Sequence, residues 1–107
     1  MDEDGYPTDE ELETIRKYKF QTWEDVLDLL EHIRELWWHN SDGFVLKGKN
    51  ILKLQLHTWG WSGNESVIGA LEQNTMFYPL FWVESRLGGH YKFEFRKSMF
   101  RSRSESN

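Results

Sequence analysis

One alternating stretch that runs straight into a turn rich in tryptophan and glycine constrains this chain more than any other feature. In Ile51-Leu52-Lys53-Leu54-Gln55-Leu56-His57, the three leucines share one face, and Ile51, Lys53, Gln55 and His57 share the other. Period two is the mark of a strand with one face in a core and one face at least partly wet. Thr58-Trp59-Gly60-Trp61-Ser62-Gly63 breaks that alternation, and Ser62 with Glu65 spells a capping box at the start of a helix. Val67, Ile68 and Leu71 then fall on one side, and Asn74 supplies a stop. The pattern predicts strand, corner and a short helix over 64–73.

Upstream, Thr8 and Glu11 form a second capping box, opening a short helix that turns Leu12, Ile15 and Tyr18 inward. Thr22 caps the next helix, with Asp25 at its third position. Trp23, Val26, Leu27, Leu29, Leu30, Ile33, Leu36 and Trp37 recur at three- and four-residue steps and form one broad apolar face. This helix is expected over 22–39, stopped by Asn40-Ser41-Asp42-Gly43. Phe44-Val45-Leu46-Lys47 pairs with the 51–57 strand through Gly48-Lys49-Asn50, a hairpin turn.

Downstream, residues 76–86 read as a strand whose Pro79 marks an edge or a bulge. Leu87-Gly88-Gly89 turns the chain, and Tyr91, Phe93 and Phe95 alternate with His90, Lys92, Glu94 and Arg96. The fold class expected is α+β, in the order α-α-β-β-α-β-β. Its four-stranded antiparallel sheet is covered on one face by helices that bury Leu52, Leu54, Leu56, Tyr91, Phe93 and Phe95. Residues 1–7 are expected as a flexible acidic N-terminus, 8–97 as a single domain, and 98–107 as a disordered basic and polar tail without a core pattern.

At 107 residues, the chain can bury one modest core. Six tryptophans are more than such a core needs, so some should be exposed as binding anchors. The absence of cysteine excludes disulfides and thiolate metal sites. No stretch approaches the roughly 20 apolar residues of a membrane span, and the acidic start is unlike a signal peptide. A cytoplasmic protein is the expectation, with no cofactor. The net charge of −5 conceals an asymmetry: residues 1–31 hold eleven acids and three bases, and residues 84–103 hold six bases and two acids. Such a split suits either an interaction face or mutual neutralisation in the fold.

Three groups of residues carry functional readings. At the corner, Trp59, Trp61, Ser62, Asn64 and Glu65 offer aromatic surface and polar groups beside a helix start. The alternative is a capped structural corner whose tryptophans plug the core. By the parity of Gln55 and His57, Trp59 faces the wetter side; Trp61, closer to the cap and past the break in parity at the turn, is expected to plug the core. His57 and His90 are expected to meet on the polar sheet face near Glu84, Arg86 and Glu94, as a proton-transfer cluster or as surface polar pairs. No histidines stand at helical metal-ligand spacing, so no metal site is expected. The basic segment 92–103, interleaved with Tyr91, Phe93, Phe95 and Phe100, suits nucleic acid by charge and stacking, although the first three of those aromatics also read as core.

The run His57-Thr58-Trp59-Gly60-Trp61-Ser62-Gly63-Asn64-Glu65 resembles a His-Thr-Gly-Gly-Trp-Ser-Gly-Asn-Glu loop of small uncharacterised bacterial and phage proteins, with Trp59 standing where that loop has glycine. Gly88-Gly89-His90-Tyr91 resembles a later motif of the same proteins, so the likeness spans residues 54–95. It implies a phage or mobile-element origin and no known activity. The leading function is a non-enzymatic protein-binding module, a modulator or inhibitor of a host protein. The alternatives are a small enzyme or ligand-binding domain using His57, Glu65, Arg86 and His90, and a nucleic-acid binder using the basic segment.

Overall fold

Two threonines start the first two helices of the computed structural model, which describes residues 1–100. The Thr8 hydroxyl accepts from the Glu11 amide at 3.2 Å, and the Glu11 carboxylate accepts from the Thr8 amide at 2.8 Å. Helix α1 (Asp9–Arg16) follows, with Leu12 and Ile15 buried. Thr22 and Asp25 repeat the same reciprocal cap at 3.2 and 2.9 Å. Each cap satisfies donors that the first turn of a helix leaves without partners. Helix α2 (Trp23–Leu36) then buries Trp23, Val26, Leu29, Leu30, Ile33 and Leu36, and leaves Leu27 exposed at the rim of the stripe.

The expected continuation of this helix to residue 39 does not occur. Trp37 leaves it in extended backbone, and its buried indole N–H donates to the His57 carbonyl at 3.1 Å. His39 is left-handed, at φ 57°, and the 40–43 segment is a separate single turn, α3 (Asn40–Gly43). Breaking the helix at Leu36 lets Trp37 turn inward to the end of the sheet.

The sheet contains β1 (Phe44–Gly48), β2 (Ile51–His57), β3 (Trp82–Arg86) and β4 (His90–Arg96) in the order β1-β2-β4-β3, all antiparallel. Leu52 pairs with Phe95, Leu54 with Phe93 and Leu56 with Tyr91, so the two central strands present one apolar face. Five of these six side chains are buried, and Tyr91 packs at the margin of the core. Helices lie over this face alone. The architecture is therefore the expected α+β arrangement.

Helix α4 (Ser62–Gln73) starts two residues earlier than the pattern predicts and has no side-chain cap. Ser62 lies inside the helix, and the Glu65 amide donates to the Trp61 carbonyl at 3.1 Å. The Ser62–Glu65 capping box is thus not formed, because the backbone carbonyl of Trp61 takes the first helical hydrogen bond.

Residues 77–81 are also helical, not strand: α5 (Phe77–Phe81) precedes β3. Its two phenylalanines, four apart, point together onto Phe93 and Phe95, at centroid distances of 5.0 Å for Phe77–Phe93 and 4.6 Å for Phe81–Phe95. Pro79 is tolerated because its missing N–H falls within the first turn, where no helical acceptor is available. At the C-terminal side, a 3-10 turn (Lys97–Met99) brings Phe100 to within 6.0 Å of Trp23 and 5.9 Å of Phe81. Phe100 therefore belongs at the edge of the core and not to a patternless tail; residues 101–107 of that expected tail lie outside the described residues.

Candidate functional site

Where β2 ends, the chain makes a corner held from below by two buried polar residues. The Thr58 amide donates to the Gly89 carbonyl at 3.0 Å, and the Thr58 carbonyl accepts from the Trp61 amide at 3.0 Å. Asn64, in the first turn of α4, has no solvent exposure. Its Oδ1 accepts from the Trp38 amide at 2.9 Å, and its Nδ2 donates to the Trp38 and Thr58 carbonyls at 3.2 and 3.3 Å. One carboxamide thereby fixes the backbone of two neighbouring segments. Asn64 positions the corner and is too enclosed to meet a ligand.

The residues raised on that support are aromatic and strained. Trp59 sits at φ 56° and Gly60 at φ 70°, two consecutive left-handed residues. Glycine adopts this backbone freely, whereas a residue with a side chain gives up roughly 1–2 kcal/mol. Trp59 and His39 are the only non-glycine residues at positive φ among the described residues, and both line one cleft. Trp38, Asp42, His39 and Trp59 line this open cleft, of about 360 Å³. Trp59 remains 54% exposed and Trp38 43%.

Gly43 makes this arrangement possible. A methyl group there would lie 2.7 Å from Trp59 Nε1, 2.8 Å from Trp37 Nε1 and 3.0 Å from the His57 carbonyl. Trp61 does not plug the core. Its ring lies outside, 4.8 Å from Tyr6, 5.1 Å from Trp38 and directly over Gly63. Trp37 closes the core end instead. Ser62 and Glu65 are exposed on α4.

Across the end of the sheet, His57 and His90 are register partners and share a hydrogen bond between their Nδ1 atoms. Burial, and then the charge of His90, hold the His57 imidazole below its ordinary range. Arg86 is opposite His90 in the β3–β4 register but pairs at 3.3 Å with Glu84, which also binds Lys92 at 3.0 Å. The Lys92 hydrogen bond is the main reason the Glu84 carboxylate titrates low. Glu94 is paired with Arg96 at 2.9 Å.

Glu65 is on the other side of the sheet. It projects from α4 toward Tyr91, whose face is covered by helices, and contributes to raising the Tyr91 hydroxyl, after burial and Glu72. The four residues expected to work together thus resolve into a histidine pair, an exposed ion pair and a distant carboxylate. A histidine pair can hand on a proton, but general acid–base catalysis also needs a reacting group and an orienting partner. Among the described residues, no group of three or more histidine, aspartate or glutamate side chains is placed to hold a metal ion.

Trp38, His39 and Asp42 are the site residues that the sequence pattern missed, because they read as the end of a helix. The signal available was Trp37-Trp38-His39, since a continuing α2 cannot bury two adjacent indoles on one stripe. No protein-family model, curated protein or solved structure matches the chain. Among the described residues, no helix is long and apolar enough to cross a membrane.

Proposed function

We propose that this chain is a small, non-enzymatic protein-binding module that docks through the Trp38–Trp59 corner. The observation that carries the reading is Trp59, a large apolar side chain held half in solvent by a backbone that disfavours it. Strain and exposed aromatic area both oppose the isolated fold, and burial against a partner recovers the second. Tryptophan also dominates measured interface hot spots, since it buries a large area with little rotamer freedom to lose. In this proposal the module acts in the cytoplasm as a modulator or inhibitor of a host protein, encoded by a phage or other mobile element.

The test is capture of a partner by the whole chain, followed by comparison of two exposed tryptophans. Trp59→Ala should weaken capture by about 2 kcal/mol or more, about 30-fold. Trp82 is 48% exposed on β3, with its indole N–H bonded to the Ser85 hydroxyl, so Trp82→Ala should leave capture unchanged. Equal losses in both variants would contradict docking at the corner.

A further inference from the structure

We infer that the cleft between Trp38 and Trp59 receives a basic side chain of the partner, an arginine guanidinium in particular. The inference rests on the protein-binding reading and names the chemistry of its central contact. Indole faces carry negative electrostatic potential, and tryptophan is the strongest aromatic partner for a cation. Here two indoles wall one cleft, and a carboxylate, Asp42, stands in the same wall. Asp42 is exposed and makes no ion pair among the described residues, so its charge is available to a ligand.

The surroundings have the same sign. The N-terminal turn of Asp2, Glu3 and Asp4 leads into Tyr6 and is held on itself: the Asp2 carboxylate accepts from the amides of Asp4 and Tyr6, both at 2.9 Å. Tyr6 then packs against Trp61 at a tilt of 30°, and Trp61 against Trp38 at 35°. An acidic segment thus adjoins the aromatic ladder that ends in the cleft, on a chain with a net charge of −5. Such a field draws cations in and repels anions.

An apolar side chain in the cleft would desolvate Asp42 without a counter-charge, which is unfavourable. A guanidinium answers both features, because its plane stacks on indole while its N–H groups reach a carboxylate. His39, T-shaped against Trp38 at 4.0 Å, fixes the angle of that indole and takes the left-handed backbone that turns α3 toward it.

The experiment uses the full chain and a pair of blocked tripeptides, glycine-arginine-glycine and glycine-citrulline-glycine. Citrulline keeps the shape of arginine and removes its charge. In nitrogen–proton NMR spectra, the arginine peptide should shift the indole signals of Trp38 and Trp59 saturably and leave those of Trp23 and Trp82 in place. The citrulline peptide should bind at least about 10-fold more weakly, and Asp42→Asn should cost the arginine peptide about 5-fold. Equal binding of the two peptides, or equal binding by Asp42→Asn and wild type, would overturn the inference.

If Trp59→Ala abolishes partner capture while arginine and citrulline peptides bind alike, protein binding stands and the cation falls. If Trp59→Ala captures the partner as well as wild type, the corner is not the docking surface and both fall.

Discussion

Helix α4 has a buried asparagine near each end, and the two regions they organise are opposites. Asn74, the C-terminal cap, donates to the carbonyls of Ile15 and Tyr18 at 2.8 and 3.0 Å and accepts from the amides of Met76 and Phe77 at 2.9 and 3.0 Å. Every hydrogen-bonding site of its carboxamide is used. Beyond it, Phe77, Phe81, Phe93 and Phe95 close into a fully buried part of the core. Asn64 likewise holds Trp38 and Thr58, yet its surroundings stay open, with three left-handed residues, His39, Trp59 and Gly60, and two exposed tryptophans. A satisfied buried amide can therefore either complete a core or hold an exposed surface rigid. Strain left at only one of the two ends points to that end as the functional one.

The sharpest way to break this comparison is to remove the amides. Asn74→Ala should cost about 3 kcal/mol, because it strands backbone donors and acceptors in a site without solvent. For a chain of this size, that lowers Tm by roughly 15 °C, as thermal unfolding would show. Asn64→Ala should cost less, about 2 kcal/mol, since the corner it serves lies near water. It should also lower partner capture, whereas stable Asn74 variants should not. Equal effects of both variants on capture, measured at a temperature where both are folded, would erase the distinction between the two ends.

Gly43→Ala should cost about 1–2 kcal/mol in a denaturant titration, because the new methyl group forces Trp37 and Trp59 apart. An unchanged midpoint would mean the indoles shift freely and the cleft is not rigid.

The smallest expected effect is on pH dependence. His57 titrates below its unfolded value of about 6.5, so near and below that pH the unfolded chain binds more protons than the folded one. The stabilising contribution is then complete above about pH 6.5 and is lost as pH falls through the lowered folded value. His57→Gln should flatten the dependence of Tm on pH between 7.5 and 5.5. A slope unchanged from wild type would assign the dependence to other groups.

Legibility in the sequence followed the range of the interactions. Strand β2 and the caps at Thr8 and Thr22 were readable because their signals lie within a few residues. Parity along β2 put His57 on the polar face that it shares with His90, its register partner, and turned Trp59 toward solvent. The helical turn at 77–81 was not readable: its apolar run suits a strand equally well, and the deciding bonds come from Asn74. Trp61 was misread as a core plug because its resting place depends on Tyr6, Trp38 and Gly63, all remote or featureless in sequence. The left-handed turn at His39 has no composition of its own, which hid half of the cleft.

The central claim is that Trp59 is kept for binding at the expense of its backbone, and substitution by glycine and by alanine tests it most directly. Both variants remove the indole, but only glycine relieves the left-handed strain. The account predicts that Trp59→Gly is more stable than Trp59→Ala by about 1 kcal/mol and that both lose partner capture by about 30-fold or more. A glycine variant that captures the partner as tightly as wild type would contradict it.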